Sequence, residues 1–339
     1  MKIIGFGDLM LRLNPPGYKR FIQTDSFDVN YTGAEANVCV ALSQYGVDSV
    51  FVTKLPENDI ARCAVAHMKK YGVNVESVVY GGERIGLFYV EKGASQRASK
   101  VIYDRKYSAF STAKRQDFNW NRILENADIF HFTGITAALS NEMPGILTDA
   151  LETAKVKNIL VSCDLNYRRN LWSEQNARNV MVNLVKYVDL LIANEEDAEK
   201  VLGIAAPNTN VRQGKLDQNG YIDVAKRIND LYGNKYVAIS LRKSMSASDN
   251  EWSALLYNNE AAYFSRKYKI HIVDRVGGGD SFAAGLIYGI CNGWNNQSIV
   301  EFAAASSCLK QTIEYDFNLA SLNEIEELIR GDASGRVRR

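Results

Sequence analysis

The residue types best suited to chemistry in this chain of 339 residues stand together at 269–286, Lys-Ile-His-Ile-Val-Asp-Arg-Val-Gly-Gly-Gly-Asp-Ser-Phe-Ala-Ala-Gly-Leu. The alternating Ile270 and Ile272 predict a strand. Gly277, Gly278 and Gly279 predict a turn, and Phe282, Leu286 and Ile290 share one face at helical spacing. Bare backbone N–H groups at a helix N-terminus, with the positive end of the helix dipole behind them, form an anion site. Asp280 is the anomaly, because an anionic ligand repels a carboxylate there unless that carboxylate has a proton to take. The set suits transfer of a phosphoryl group to a hydroxyl: the amides stabilise charge on the phosphoryl oxygens while Asp280 accepts the proton of the attacking alcohol. A glycine-rich turn before Asp is also an ordinary helix N-cap, so spacing alone leaves both readings open.

The residue types add more than the spacing. Asp274-x-Val276-Gly277-x-Gly279-Asp280-Ser281-Phe282-x-x-Gly285 resembles the C-terminal signature of the ribokinase-like (PfkB) carbohydrate kinases, in which the last Asp is the catalytic base. Arg275 stands where Thr is usual and Gly278 where Ala is usual. The first departure leaves open the monovalent-cation site that some members build beside this loop, and the second loosens the turn.

The elements that must position these groups read as an α/β chain. Lys2 to Phe6 is a strand leading to Gly7-Asp8, a polar section holds Pro15-Pro16-Gly17, and a second strand lies near Phe27 to Tyr31. Thr32-Gly33-Ala34-Glu35-Ala36-Asn37 then opens a helix with Val38, Ala41, Leu42 and Tyr45 on its apolar face and Gly46 as its stop. Gly33 permits close backbone approach to a ligand. Asn37 alone would pass for a solvated helix position, but Gly-x-x-x-Asn after a first strand resembles the N-terminal sugar-binding signature of the same kinases.

Strand Val50 to Leu55, helix Ile60 to Tyr71 and strand Val75 to Tyr80 continue an alternation that indicates βα units and a mostly parallel sheet. From Tyr80 to Phe110 the rhythm breaks into extended pieces, Ile85 to Val90 and Lys100 to Tyr103. We read these, with the segment from Arg12 to Tyr31, as a small β-sheet lid that closes over a substrate and excludes water. Tyr89 and Tyr103 bring hydroxyls and Arg105 a planar donor fork suited to a carboxylate, although a strand tyrosine is ordinarily packing and an arginine after a strand ordinarily solvated. The runs at 86–97 and 101–105 resemble the lid of 2-keto-3-deoxygluconate kinases, where the matching positions hold the sugar acid.

The α/β pattern resumes with strand Ala127 to Phe132, ending at Thr133-Gly134-Ile135, helix Pro144 to Lys157 and strand Ile159 to Cys163. Ligands in open α/β sheets collect beyond strand C-termini, which suits Asp164-Leu165-Asn166-Tyr167-Arg168. With Leu171-Trp172 this run again resembles the keto-deoxygluconate kinases, whereas spacing alone allows Arg168 simply to pair with Asp164. Helix Glu174 to Lys186 and strand Asp189 to Ile192 lead to the acidic run at 193–199. On physics alone that run compensates a helix dipole; it also resembles the family's Asn-x-x-Glu element, with Asp197 in the Glu position, binding Mg²⁺ through water. A polar loop from Pro207 to Asn219, helix Ile222 to Tyr232 and strand Val237 to Leu241 come next. Residues 242–250 then stand where the family carries a nucleotide loop, with Arg242 and Lys243 to offset triphosphate charge or merely to form a solvated basic turn. The Ala-rich helix Glu301 to Gln311 brings Ala304 and Ser307, small enough for a flat adenine to pack near the backbone, and by resemblance Asp316 reaches back toward the substrate. The last helix is Leu322 to Ile329.

The resemblance therefore implies a ribokinase-like three-layer α/β/α core with a mostly parallel sheet plus the lid. Residues 1–330 form one kinase domain, the lid comes from about 11–31 and 80–110, and 331–339 form a flexible basic tail. The implied activity is ATP- and Mg²⁺-dependent phosphorylation of 2-keto-3-deoxygluconate, with Asp280 as base and the Gly277 to Gly279 amides as anion hole. Gly33, Asn37, Tyr89, Tyr103, Arg105, Ile135, Arg168 and Asp316 are assigned to the sugar acid. Asn166, Arg168, Asn194, Ser240, Lys243, Gly277, Gly279, Ala304 and Ser307 are assigned to ATP.

Composition excludes other classes. A hydrophobic content of 46% with 23% charged residues is that of a globular chain, and a net charge of +1 gives no basic excess for nucleic acid or membrane. The cysteines Cys39, Cys63, Cys163, Cys291 and Cys308 include no Cys-x-x-Cys, and His67, His131 and His271 are isolated, so buried thiols and no zinc site are expected. The N-terminus enters a strand directly, without an export signal, and the cytoplasm is the expected location. An exposed lid sheet favours a homo-oligomer. Rival readings are a fructokinase or other sugar kinase of the family, a non-catalytic sugar-acid sensor, which the intact Gly-Asp pair disfavours, and a nicotinamide-dependent dehydrogenase. The last rests on Gly5-x-Gly7, which lacks the third glycine before a helix, and no Gly-x-x-x-x-Gly-Lys-Ser/Thr supports a P-loop kinase.

Overall fold

The computed structural model describes residues 1–194, 196–205 and 218–331. Glu195 of the acidic run, most of the polar loop after Pro207 and the basic end at 332–339 lie outside them. The first half of the chain runs β1 (Lys2–Phe6), β2 (Met10–Asn14), β3 (Asp28–Thr32), α1 (Ala34–Gln44), β4 (Asp48–Val52), β5 (Lys54–Leu55), α2 (Asp59–Lys70), β6 (Val79–Tyr80), β7 (Gly86–Glu91), β8 (Lys100–Asp104), α3 (Trp120–Ile123), β9 (Ile129–Thr133), α4 (Gly134–Ala138) and α5 (Met143–Val156). The second half runs β10 (Leu160–Asp164), α6 (Glu174–Leu184), β11 (Leu190–Asn194), α7 (Gln218–Tyr232), β12 (Tyr236–Ser244), β13 (Asp249–Tyr257), β14 (Ala262–Phe264), β15 (Tyr268–His271), α8 (Gly278–Cys291), α9 (Asn296–Lys310) and α10 (Leu322–Arg330). No described helix is long and apolar enough to cross a membrane.

The main sheet is ordered β14-β13-β12-β11-β10-β9-β1-β4, and β15 also pairs with β13. From β4 to β12 every neighbouring pair is parallel. Period-2 alternation divides the strand side chains between two cores: Ile4, Phe6, Phe130, Phe132 and Leu191 pack with α5, α6 and α7, while Ile3, Ile129, Leu190 and Ile192 pack with α1, α8, α9 and α10. This is the expected three-layer arrangement. Helix starts follow local chemistry: Asn58, Ser173 and Asn295 each accept a backbone N–H from the first turn, and Ser321 with Glu324 closes a capping box on α10.

Three parts of the sequence reading change. The strand expected over Val50 to Leu55 breaks at Thr53 into β4 and β5, and the one expected over Val75 to Tyr80 shrinks to β6, which pairs with β5 outside the main sheet. More consequentially, the loop read at 242–250 shrinks to a turn at 245–248, because β12 runs on to Ser244 and β13 begins at Asp249 and pairs antiparallel with β12, β14 and β15. β13 carries a nearly continuous apolar run, Trp252 to Tyr257, with no alternation to betray a strand.

The smaller sheet is ordered β3-β2-β7-β8, with β2 and β7 parallel and the outer pairs antiparallel. Its Met10, Phe88 and Val90 make a small apolar cluster of their own.

Candidate active site

A cavity of about 460 Å³ opens where the C-terminal ends of β10, β11 and β12, the N-terminal ends of α1 and α8, and one face of the smaller sheet converge. Gly277, at φ +86°, is the N-cap of α8, and a Cβ there would stand 1.9 Å from the carbonyl oxygen of Asp316. Conformation and space both demand glycine. Gly279 meets nothing within 4 Å of where a Cβ would lie and borders the cavity.

Asp280 lies in the first turn of α8 on the cavity floor. Its Oδ2 accepts a hydrogen bond from Asn37 Nδ2 at 2.6 Å, and Asn37 Oδ1 accepts one from Thr32 Oγ1 at 2.6 Å. Burial pushes the Asp280 pKa up to about 7, with Asp316 and Glu35 adding to the rise and Asn37 and Arg168 opposing it. A carboxylate poised there can take a proton from an alcohol near neutral pH.

The cavity gathers most of the residues singled out in the sequence: Gly33, Asn37, Tyr103, Arg105, Ile135, Asn166, Arg168, Asn194, Asp197, Ser240, Gly277, Gly278, Gly279, Asp280 and Asp316 all line it. Tyr89, Lys243, Ala304 and Ser307 do not. Tyr89 and Tyr103 sit on opposite faces of the smaller sheet, because antiparallel register pairs Tyr103 with Phe88 and Tyr89 with Ile102. Phe88 thus takes the inward place, stacked on Tyr103 at 5.8 Å, while Tyr89 meets Phe27 on the outer face. The same alternation on β12 turns Ser240 and Arg242 to the cavity and Lys243 toward Glu251 Oε2, 3.9 Å away. Ala304 and Ser307 are fully buried where α9 packs on α8, and Ser307 Oγ donates to the Gly278 carbonyl at 2.7 Å. The small residues of α9 serve that close helix contact, since a Cβ on Gly285 would stand 2.6 Å from Ala303 Cα. Gly33 has a different reason for being glycine from the one expected: a Cβ would stand 1.9 Å from the Asp8 carbonyl oxygen, so it admits backbone as well as bordering the ligand space.

Arg105 is buried, with its guanidinium 4.7 Å from the Tyr103 ring centroid. Its Nη1 donates to Met10 Sδ at 3.7 Å, its nearest carboxylate oxygen is Asp8 Oδ2 at 4.0 Å, and neither Arg105 Nε nor that oxygen has a hydrogen-bond partner among the described residues. Burial lifts Asp8 to a pKa of about 6 against the pull of Arg105. Asp316 is differently engaged from expectation, for its Oδ2 accepts from Arg12 Nη1 at 2.6 Å while Arg12 Nη2 donates to Asp274 Oδ2 at 2.6 Å. Sequence reading passed over Arg12, which looks like any polar-strand residue and is fully buried. It also passed over Glu35, whose Oε1 accepts from Thr133 N, Thr133 Oγ1 and Thr136 Oγ1 and so ties α1 to the end of β9. Neither has a local signal, since their partners are roughly a hundred or more positions away.

At the other end, Arg168, Arg242 and Arg275 border the cavity beside the glycine turn. Arg275 donates to the carbonyls of Ser246 at 3.3 Å and Ala247 at 3.0 Å, pinning the β12–β13 turn to it. Asp164 and Asp197 face this region. Burial raises Asp164 well above the usual carboxylate range, helped by Asp197 and Asp280, and lifts Asp197 to about 6. Asp197 Oδ2 has no hydrogen-bond partner, and no cluster of three or more metal-type ligands exists, both among the described residues. Two buried carboxylates side by side without a closed cage have the chemistry to hold Mg²⁺ through water.

A three-layer α/β/α core with an accessory sheet, and a buried carboxylate beside a glycine turn at the strand ends, fit a phosphotransferase of the sugar-kinase type. The family model described as pfkB family carbohydrate kinase matches residues 2–314, and the chain belongs to that family. Over 334 residues it is 29% identical to the 2-dehydro-3-deoxygalactonokinase of Haloferax volcanii, covering 98% of each chain. It is 26% identical over 337 residues to the 2-dehydro-3-deoxygluconokinase of Thermoproteus tenax, covering 97% of this chain and 94% of that one. The crystal structure of 2-dehydro-3-deoxygluconokinase from Thermotoga maritima superposes with a TM-score of 0.94 at 52% identity, covering 98% of each chain.

Proposed function

We propose that this chain transfers the terminal phosphoryl group of ATP to the 6-hydroxyl of 2-keto-3-deoxygluconate, giving the 6-phosphate. The observation that carries the substrate class is Arg105: a buried guanidinium in the same cavity as Asp280, with no carboxylate oxygen closer than 4.0 Å. A buried guanidinium held only by the Tyr103 ring, Met10 Sδ at 3.7 Å and an Asp8 oxygen at 4.0 Å is incompletely paired, and a substrate carboxylate would complete the pairing through two parallel hydrogen bonds. Gly33, Asn37, Tyr103, Ile135, Arg168 and Asp316 would surround the rest of the sugar and point its terminal hydroxyl at Asp280. The base would take the hydroxyl proton as the Gly277 and Gly279 amides stabilise charge on the phosphoryl oxygens, the Gly278 amide differing from expectation because it already donates to the Arg275 carbonyl at 3.3 Å. Asn166, Asn194, Ser240, Arg242 and Arg275 would hold the nucleotide. Asp164 and Asp197 would hold Mg²⁺ through water, where it neutralises phosphate charge. Names of the relatives and of the superposed crystal structure support a keto-deoxy sugar acid as acceptor.

The smaller sheet would act as a lid, and its outer face supports self-association. Val29, Leu13, Tyr89 and Ile102 form one row across its four strands, with Val29 57% and Ile102 54% exposed. A homo-oligomer in the cytoplasm is the state proposed, checked by sedimentation of wild type and of Ile102→Glu. ADP release assayed over both C4 epimers of the sugar acid, fructose and ribose tests the substrate. A preference for a neutral sugar overturns the assignment.

A further inference from the structure

Lys310 ends α9 as a fully buried lysine with no carboxylate oxygen among its hydrogen-bond partners in the described residues: its ammonium donates to three backbone carbonyls, Asp274 O at 3.1 Å, Ile313 O at 3.3 Å and Tyr315 O. Three N–H donors meet three oxygens, which exhausts what an ammonium can give. The oxygens come from two loops. One, at 273–277, leads directly into the anion hole, and the other, at 311–316, abuts it, since Val273 N and Asp274 N both donate to Gln311 O and Asp316 O leaves Gly277 no room for a side chain. Tyr315, at φ +62°, holds a left-handed conformation that costs a non-glycine residue energy unless its surroundings fix it.

Convergent carbonyl oxygens that replace a hydration shell are the usual surroundings of a monovalent cation. Here those oxygens are already taken by a cation on the chain. Arg12 binds the carboxylates of Asp274 and Asp316 while Lys310 binds carbonyls of the same two loops, so two cations clamp the loops together. Arg275, which occupies the departing position in the signature, turns to the carbonyls of Ser246 and Ala247 and adds no ligand to this cage. A free potassium ion therefore does not fit between these loops as they stand.

We infer that Lys310 is a tethered monovalent cation: a positioning residue whose ammonium holds the Gly277 to Gly279 turn in its working shape, so that phosphoryl transfer needs no free potassium. The inference rests on phosphoryl transfer at Asp280 and is independent of which sugar is accepted, so the assay uses whichever acceptor turns over fastest.

The test measures kcat, KM for ATP and melting temperature with tetramethylammonium as the only monovalent cation, then with added K⁺, NH₄⁺ or ethylammonium. Wild type is expected to change less than about twofold in rate and not at all in melting temperature. Lys310→Met should lose about 10- to 100-fold in kcat, the scale of a displacement of about 1 Å at a reacting centre, and Lys310→Ala should do likewise. K⁺ or NH₄⁺ for the first, and ethylammonium for the second, should restore much of the rate and raise the melting temperature, as a ligand that binds only the folded state must. A merely structural lysine would lose stability without this selective rescue. The inference is overturned if wild type requires K⁺, if Lys310→Met keeps normal turnover, or if folded variants respond to no cation. Should neither variant fold, the wild-type cation response decides alone.

Discussion

Asn37 and Asp280 lie 243 positions apart and meet at 2.6 Å, the amide of the first helix donating to the carboxylate of the eighth. The bond favours the ionised carboxylate while burial disfavours it, and the balance sets the pKa at about 7. One side chain thus joins the N-terminal end of α1 to that of α8 across the cavity.

Asp280→Asn keeps shape but cannot take a proton. A general base contributes roughly 10²–10⁴ in rate, so kcat should fall by that order while calorimetry still detects sugar-acid binding. Stability should move the other way. The folded pKa lies above the unfolded value of 3.8, so ionised Asp280 burdens the fold fully above pH 7, and the burden fades as pH falls below that. The Asn variant should melt higher than wild type at pH 8 and not at pH 4. Near-normal turnover would show that another group is the base.

The acid limb of the pH profile tests the Asn37 bond. Because Asp280 must be ionised, kcat/KM should rise about tenfold per pH unit below pH 7 and level off above it. Asn37→Ala removes a donor to the ionised form, so the limb should shift to higher pH. A limb that stays in place means the titrating group is not Asp280.

Arg105→Ala should weaken the sugar acid by about 30-fold or more in kcat/KM, from roughly 2–5 kcal/mol for removing one partner of a buried charge pair. The KM for ATP should scarcely move. Arg105→Lys should recover only part, since a point charge cannot reproduce the fork. If the preference for the acid over fructose survives Arg105→Ala, this arginine does not read the carboxylate.

Strand register makes two paired comparisons. Tyr103→Phe should raise KM for the sugar acid where Tyr89→Phe does not. Arg242→Ala should raise KM for ATP by about tenfold, on the scale of hydrogen bonds to charged groups, where Lys243→Ala leaves it unchanged. Reversed rankings would place the other face of each strand in the site.

Arg12→Met leaves Asp274 and Asp316 buried without their shared guanidinium. Breaking a buried pair by removing one partner costs about 3–5 kcal/mol, read as a lower urea midpoint for unfolding. A loss under 1 kcal/mol would mean that water or Lys310 already compensates the two acids.

What the sequence by itself determined is local. The glycine turn before Asp280, the strand and helix rhythm and the strand-end positions of Asn166, Arg168 and Asn194 depend on dihedral preference and short periodicity, and these survive in a string of residues. The motif order also carried the family. Which face a lid or edge strand shows was decided only in the tertiary structure, since the choice between Tyr89 and Tyr103, or Lys243 and Arg242, follows from pairing with another strand. The antiparallel pairing at the β13 edge was likewise hidden, because the apolar run of β13 carries no period, although the alternation of Ile270 and Ile272 already marked β15 as a strand. Arg12, Glu35 and Lys310 were least legible of all. A charged residue reads as solvated until its partners arrive, and theirs come from strands, turns and carbonyls that only the folded chain brings within 3.3 Å.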